Sequence, residues 1–162
     1  MKYLSILIID IILVLHLHLN LKTTFFMNKS KVLNTTGIIL LIITSLNALA
    51  AGYSMIVEPS GKDLGMSVDT VLKFSPFNSF LIPGLTLFTL IGLLSIVTII
   101  FVIKKKNNYF KLIIWQGLII TGWIFFQVIF LREFNWLHFV VGSIGIYTIF
   151  WGFFSRKQFN VG

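Results

Sequence analysis

The chain has 162 residues, of which 57% are hydrophobic and 11% charged, with a net charge of +8. A soluble domain carries roughly 25% charged residues, so the composition excludes an ordinary soluble globule. No cysteine is present, which excludes disulfides, thiolate nucleophiles and Cys-ligated metals.

The mean hydropathy is +0.95. Several runs approach the ~18 apolar residues that a helix needs to cross a bilayer. They are apolar all round, unlike the period-two strands of a membrane barrel. The basic residues sit in short segments beside these runs, where they act as topology determinants. The charge therefore does not point to nucleic acid as a partner.

Residues 1–26 read as a hydrophobic extension. Lys2 and the apolar residues after it imitate a signal peptide, but no small-x-small cleavage site follows. Asp10 lies inside the run, and His16 and His18 alternate with leucines. Met27-Asn28-Lys29-Ser30-Lys31 then precedes a clean apolar segment and resembles a natural start. Two readings stay open: an upstream extension, or an additional hydrophobic helix before a four-helix domain at 27–162.

The first span is expected at about 37–56, with Asn34-Thr35-Thr36 capping its start. Ala48 and Gly52 form a small-xxx-small pair suited to close helix approach. Asn47 needs a hydrogen-bond partner in hydrocarbon, and a neighbouring helix is the expected one. The second span is expected at about 83–103, ended by Lys104-Lys105-Lys106, and the third at about 112–131. Gln116, Ile120, Trp123 and Gln127 of that third span share one helical stripe, which should face the bundle. The fourth span, at about 137–154, presents a small-residue face of Gly142, Ser143, Gly145 and Gly152.

Orientation follows from the Lys/Arg bias. Lys29 and Lys31 precede the first span, Lys104, Lys105, Lys106 and Lys111 separate the second and third, and Arg156 and Lys157 follow the fourth. The other two connections hold Lys62 and Lys73 among acids, and Arg132 beside Glu133. Both ends of the four-span core are thus expected in the cytoplasm, and the 52–84 connection outside.

That connection holds three of the five acidic residues and all three prolines. Pro59-Ser60-Gly61 is a turn signal. Ser67 can cap a short helix at 68–74, with Asp69 near its positive end. Met66, Val68, Val71, Leu72 and Phe74 are too apolar for a free loop, so the segment should dock on the membrane surface or the bundle mouth. Ser75-Pro76 reads as a helix start, and Pro83-Gly84 as a kink about two turns further on.

The stretch AGYSMIVEPSGKDLGMS, followed by SPFNSFLIPGLTLF and a Gln- and Trp-bearing third span, resembles a group of small four-span bacterial inner-membrane proteins of unassigned function. The resemblance covers about residues 37–150. Its structural loop motif maps to Pro59, Gly61, Gly65, Ser75, Pro76, Pro83 and Gly84. It implies a four-helix membrane protein and brings no catalytic residue or substrate.

Three groups of side chains could carry chemistry. Glu58 and Asp63 could act as acid and base, and His138 lies on the same expected side, as does Glu133. A His among carboxylates can bind a metal or move protons. Yet no metal-ligand spacing is present. Capping and ion pairing with Lys62 are the preferred account of Glu58 and Asp63, and water or a backbone carbonyl that of His138. Gln116, Trp123 and Gln127 could line a lipid or quinone pocket, or simply hydrogen-bond between helices. No phosphate loop, dinucleotide fingerprint or nucleophile elbow appears, so no cofactor is implied.

The expected fold is an all-α, integral-membrane four-helix bundle with an ordered outer loop. Its leading function is non-enzymatic: binding a lipid or small apolar ligand, or serving as an accessory subunit alone, as a homo-oligomer or beside a partner membrane protein. The alternative is a small membrane enzyme with an outer-face site at Glu58, Asp63 and His138.

Overall fold

Backbone amides left unpaired in hydrocarbon are costly, so each apolar run satisfies its own as a helix. The computed structural model describes residues 2–132 and 136–159, and contains no strand among them. In chain order the elements are α1 (Lys2–Val57), a 3₁₀ turn (Lys62–Leu64), α2 (Val68–Val71), α3 (Leu81–Thr86), a π-helical segment (Leu87–Leu93), α4 (Leu94–Ile103), α5 (Tyr109–Leu131) and α6 (Trp136–Phe159). Four stretches of the described residues are long and apolar enough to cross a membrane: Lys29–Val57, Leu81–Ile103, Tyr109–Phe130 and Trp136–Lys157. The protein is an all-α, multi-pass membrane protein.

The chain divides into two compact units, Met1–Thr35 and Thr36–Gly162. The expected cap at Asn34-Thr35-Thr36 does not start a helix, because α1 is already helical there. No Pro or Gly precedes Gly37 in the sequence, so nothing stops propagation, and the mild cost of Asn and Thr is too small to do so.

In the second unit the four spans pack around the fully buried side chains of Leu41, Ile113, Ile120 and Trp151. Their outward faces carry large exposed side chains such as Phe125, Phe139 and Phe150. In water that surface would be an aggregation liability. In lipid it is matched by the acyl chains, and association rests on close packing instead.

That packing runs through small residues. Gly52 of α1 and Gly84 of α3 meet backbone to backbone: a Cβ built on Gly52 would lie 2.8 Å from the Gly84 carbonyl oxygen and 2.7 Å from the Phe88 nitrogen. The Ala48–Gly52 face is therefore an interhelical contact, with Ala48 buried. Gly145 and Gly152 of α6 likewise lie against α5, at Thr121 and Ile114. Ser143 does not join that contact. It is exposed and donates to the Phe139 carbonyl in its own helix.

Three local expectations are corrected. Asn47 is exposed and its Nδ2 donates to the Ile43 carbonyl of its own helix at 2.9 Å, not to a neighbour. The surface helix is shorter than 68–74, covering Val68–Val71, and Ser67 caps it without a side-chain hydrogen bond. Ser75-Pro76 does not start the second span. The Ser75 hydroxyl instead accepts the Phe77 N–H in a turn, and α3 begins at Leu81. Pro83 thus falls in the first turn, where its missing N–H costs nothing. The irregularity of this span is the π-helical segment that follows.

Gly84→Ala places a methyl 2.6 Å from the Met55 Cβ and should destabilise by about 1–3 kcal/mol through overpacking. Gly122→Ala meets nothing within 4 Å and should hold or raise stability. Thermal midpoints in one detergent should fall for the first and not for the second.

Candidate functional site

The connection between α1 and α3 folds back because its turn residues require it. Gly61 and Gly65 adopt φ of 80° and 64°, the left-handed region that favours glycine. The Gly61 carbonyl accepts the N–H groups of Leu64 and Met66, and Phe80 N–H donates to the Pro59 carbonyl at 2.8 Å. The Phe80 ring lies over Gly61, where a Cβ would come within 2.6 Å of it. Phe80 is 2% exposed and Leu72 is 7% exposed, so the loop is docked as its composition suggested. Gly61, Pro59 and Pro83 form part of that docked structure. Gly65 closes the 3₁₀ turn, and the exposed Pro76 follows Ser75 in the bend before α3.

Beneath this loop lies a partly open cavity of about 70 Å³. Met55 of α1 borders it, Met66, Leu72 and Phe77 of the loop cover it, and Trp123, Phe126, Gln127 and Phe130 of α5 form its wall. The aromatic wall is ordered by ring contacts. Phe126 sits 4.2 Å from Phe130, 6.1 Å from Trp123 and 6.0 Å from Phe77 between centroids, the latter two within the range of ordinary aromatic pairs. Gln127 is half-buried there, and among the described residues its amide makes no hydrogen bond. The space is several times what one water needs, but its lining is nearly all apolar. It suits part of an acyl chain or a small apolar group.

The α5 stripe therefore divides into two roles. Gln127 and Trp123 line the cavity. Gln116, about two to three turns away along the helix, is fully buried and spoken for. Its Nε2 donates to the Ser95 hydroxyl at 2.8 Å and reaches the Leu90 and Ile91 carbonyls at 3.4 and 3.3 Å. Those carbonyls belong to the π-helical segment, where the hydrogen-bond ladder changes step. Ser45 of α1 does the same from the other side, donating to the Gly92 carbonyl at 3.0 Å. Gln116 Oε1 has no protein partner.

The three candidate catalytic residues lie in different surroundings. The Glu58 carboxylate folds onto the adjacent turn and accepts the Ser60 N–H at 3.2 Å. The Ser60 hydroxyl, the Ser60 amide and the nearby Lys62 charge hold it below the ordinary carboxylate range. Asp63 is exposed in the 3₁₀ turn. His138 is half-buried in α6 and already partnered. Glu133 lies outside the described residues. Among the described residues, no three His, Asp or Glu side chains come together to hold a metal ion.

One element of the site carried no signal in the sequence reading. The Arg132 guanidinium lies over the Phe74 ring, 4.1 Å from its centroid, and Lys73 Nζ lies 5.6 Å from the same centroid. This cation–π contact ties the loop to the end of α5.

No protein-family model, no curated protein and no solved structure matches the chain.

Gln116→Leu removes the donor to the π-segment carbonyls, relieving only the orphaned Oε1. A net loss of about 1 kcal/mol is expected, the scale of an interhelical hydrogen bond in a membrane. Gln127→Leu, with no bond to lose, should leave stability unchanged. Unfolding titrations of the two variants in mixed micelles check the contrast.

Proposed function

We propose that this is a non-enzymatic membrane protein that holds an apolar chain, of the kind carried by a membrane lipid, in the cavity beneath the loop between α1 and α3. The observation that carries the reading is the cavity itself. It is apolar, partly open, walled by aromatic rings, and has a single unpartnered amide at Gln127. Carboxylates do not line it, so the reading is a binding one. The aromatic wall offers flat faces to methylene groups, and the Gln127 amide offers a polar handle for an ester or hydroxyl.

The Lys/Arg distribution supports an orientation with both ends of the four-span core cytoplasmic and the loop on the opposite side, and the bacterial inner-membrane setting is what the resemblance implies. The paired loop motifs support membership in the group of small four-span bacterial inner-membrane proteins that they resemble. A lipid or a partner membrane protein is the expected company of such a bundle.

A fatty-acyl probe with a diazirine in its chain tests the reading. After photolysis in a bilayer and proteolysis, labelled peptides should include residues 66–80 and 123–130 above the background of the exposed faces. Labelling confined to lipid-facing positions such as Phe139 and Phe150 would overturn it.

A further inference from the structure

Two cations lie close in sequence to the lining of the cavity. Lys73 and Arg132 come from sequence-distant segments and both converge on the ring of Phe74. Their charges are therefore no farther apart than those two distances laid end to end. Among the described residues neither cation has an acidic partner. An anion placed between two such cations is attracted by both.

The position of each group is accounted for only in part by local structure. Arg132 follows the last turn of α5, where the helix dipole favours a cation, and its N–H donates to the Val128 carbonyl. It adopts a φ of 53°, an uncommon conformation for a residue other than glycine. The helix end explains a positive charge there, but not its placement on a ring of the loop. Phe74 is 47% exposed. A half-exposed aromatic ring flanked by cations suits the headgroup level of a membrane, where apolar and charged groups coexist.

The cation pair and the apolar cavity are built from the same two segments. Leu72 and Ser75, the neighbours of Lys73 and Phe74, line the cavity, as does Phe130, two residues before Arg132. We infer that Lys73 and Arg132, gathered on Phe74, bind the phosphate of an anionic phospholipid whose acyl chain enters the cavity. This rests on the reading of the cavity as an acyl-chain site. Arg132 supplies a planar fork that fits phosphate oxygens, and Lys73 adds a mobile point charge. Two cations match a net negative headgroup; Glu133, next to Arg132 in sequence, lies outside the described residues.

The test uses the full chain in nanodiscs of mixed phosphatidylcholine and phosphatidylglycerol, with brominated acyl chains on one lipid at a time. Quenching of Trp123 is read as the difference between the wild type and Trp123→Phe, which removes the signal of the other tryptophans. Brominated phosphatidylglycerol should reach half-maximal quenching at about fivefold lower mole fraction, the scale of two partly screened charge contacts. Added salt should shrink that ratio. The double variant Lys73→Gln/Arg132→Gln should bring the ratio to one, and the charge-keeping swap Lys73→Arg/Arg132→Lys should retain it. Equal quenching by the two lipids in the wild type overturns the phosphate site and leaves the acyl-chain reading standing. A preference that survives the double Gln variant also overturns it. Absence of Trp123 quenching by either lipid overturns the acyl-chain reading, and the phosphate site with it.

Discussion

The second span crosses the bilayer with its hydrogen-bond ladder out of step, and the rest of the bundle is arranged to make that tolerable. A helix that changes from five-residue to four-residue spacing leaves carbonyls poorly paired, and no water is available in hydrocarbon to repair them. Here the repair comes from both sides: Ser45 of α1 reaches the Gly92 carbonyl, and Gln116 of α5 reaches those of Leu90 and Ile91. These bonds set the depth at which α1 and α5 meet the second span. The Gly52–Gly84 contact then permits the close approach that lets so short a side chain as Ser45 span the gap. Depth and spacing are thus fixed by two different residue types, a polar donor and a small neighbour.

The cavity beneath the loop follows from that arrangement. With α3 held against α1, Phe80 is carried under the Pro59–Gly61 turn, and the loop is drawn across the end of α5. The aromatic residues of α5 meet the loop there without filling the space completely. Below it the same helix is closed by Ile120 and Gln116, both fully buried. One helix therefore supplies a structural lock in its first half and a pocket wall in its second.

The membrane class, the helical fold and the docked character of the loop were legible in composition and in runs of apolar residues. Helix ends near Val57, Ile103 and Leu131 were legible from the turn and charge signals after them. What was not legible depends on partners remote in sequence or on backbone atoms. Gln116 could be read as a buried polar residue, but its partners are carbonyls exposed by a π-helical irregularity that no side chain announces. Pro83 suggested a kink only because Ser75-Pro76 imitates a helix start. Once that start moves to Leu81, Pro83 is in the first turn and harmless. Asn47 satisfies its amide within its own helix, an option that a rule demanding a neighbour overlooks. Arg132 served in the sequence only for orientation, and nothing near it announced its ring partner Phe74, far away in the chain. For Glu58 the sequence suggested capping and pairing with Lys62, and the carboxylate accepts the Ser60 N–H.

The account turns on the cavity beneath the loop holding an acyl chain. Native mass spectrometry of the protein released from a mild detergent, beside a Leu72→Trp variant that fills the cavity from the loop side, tests it most directly. The account predicts that the wild type retains a phospholipid adduct at collision energies that strip the variant bare. Equal loss of lipid from the two proteins would contradict it.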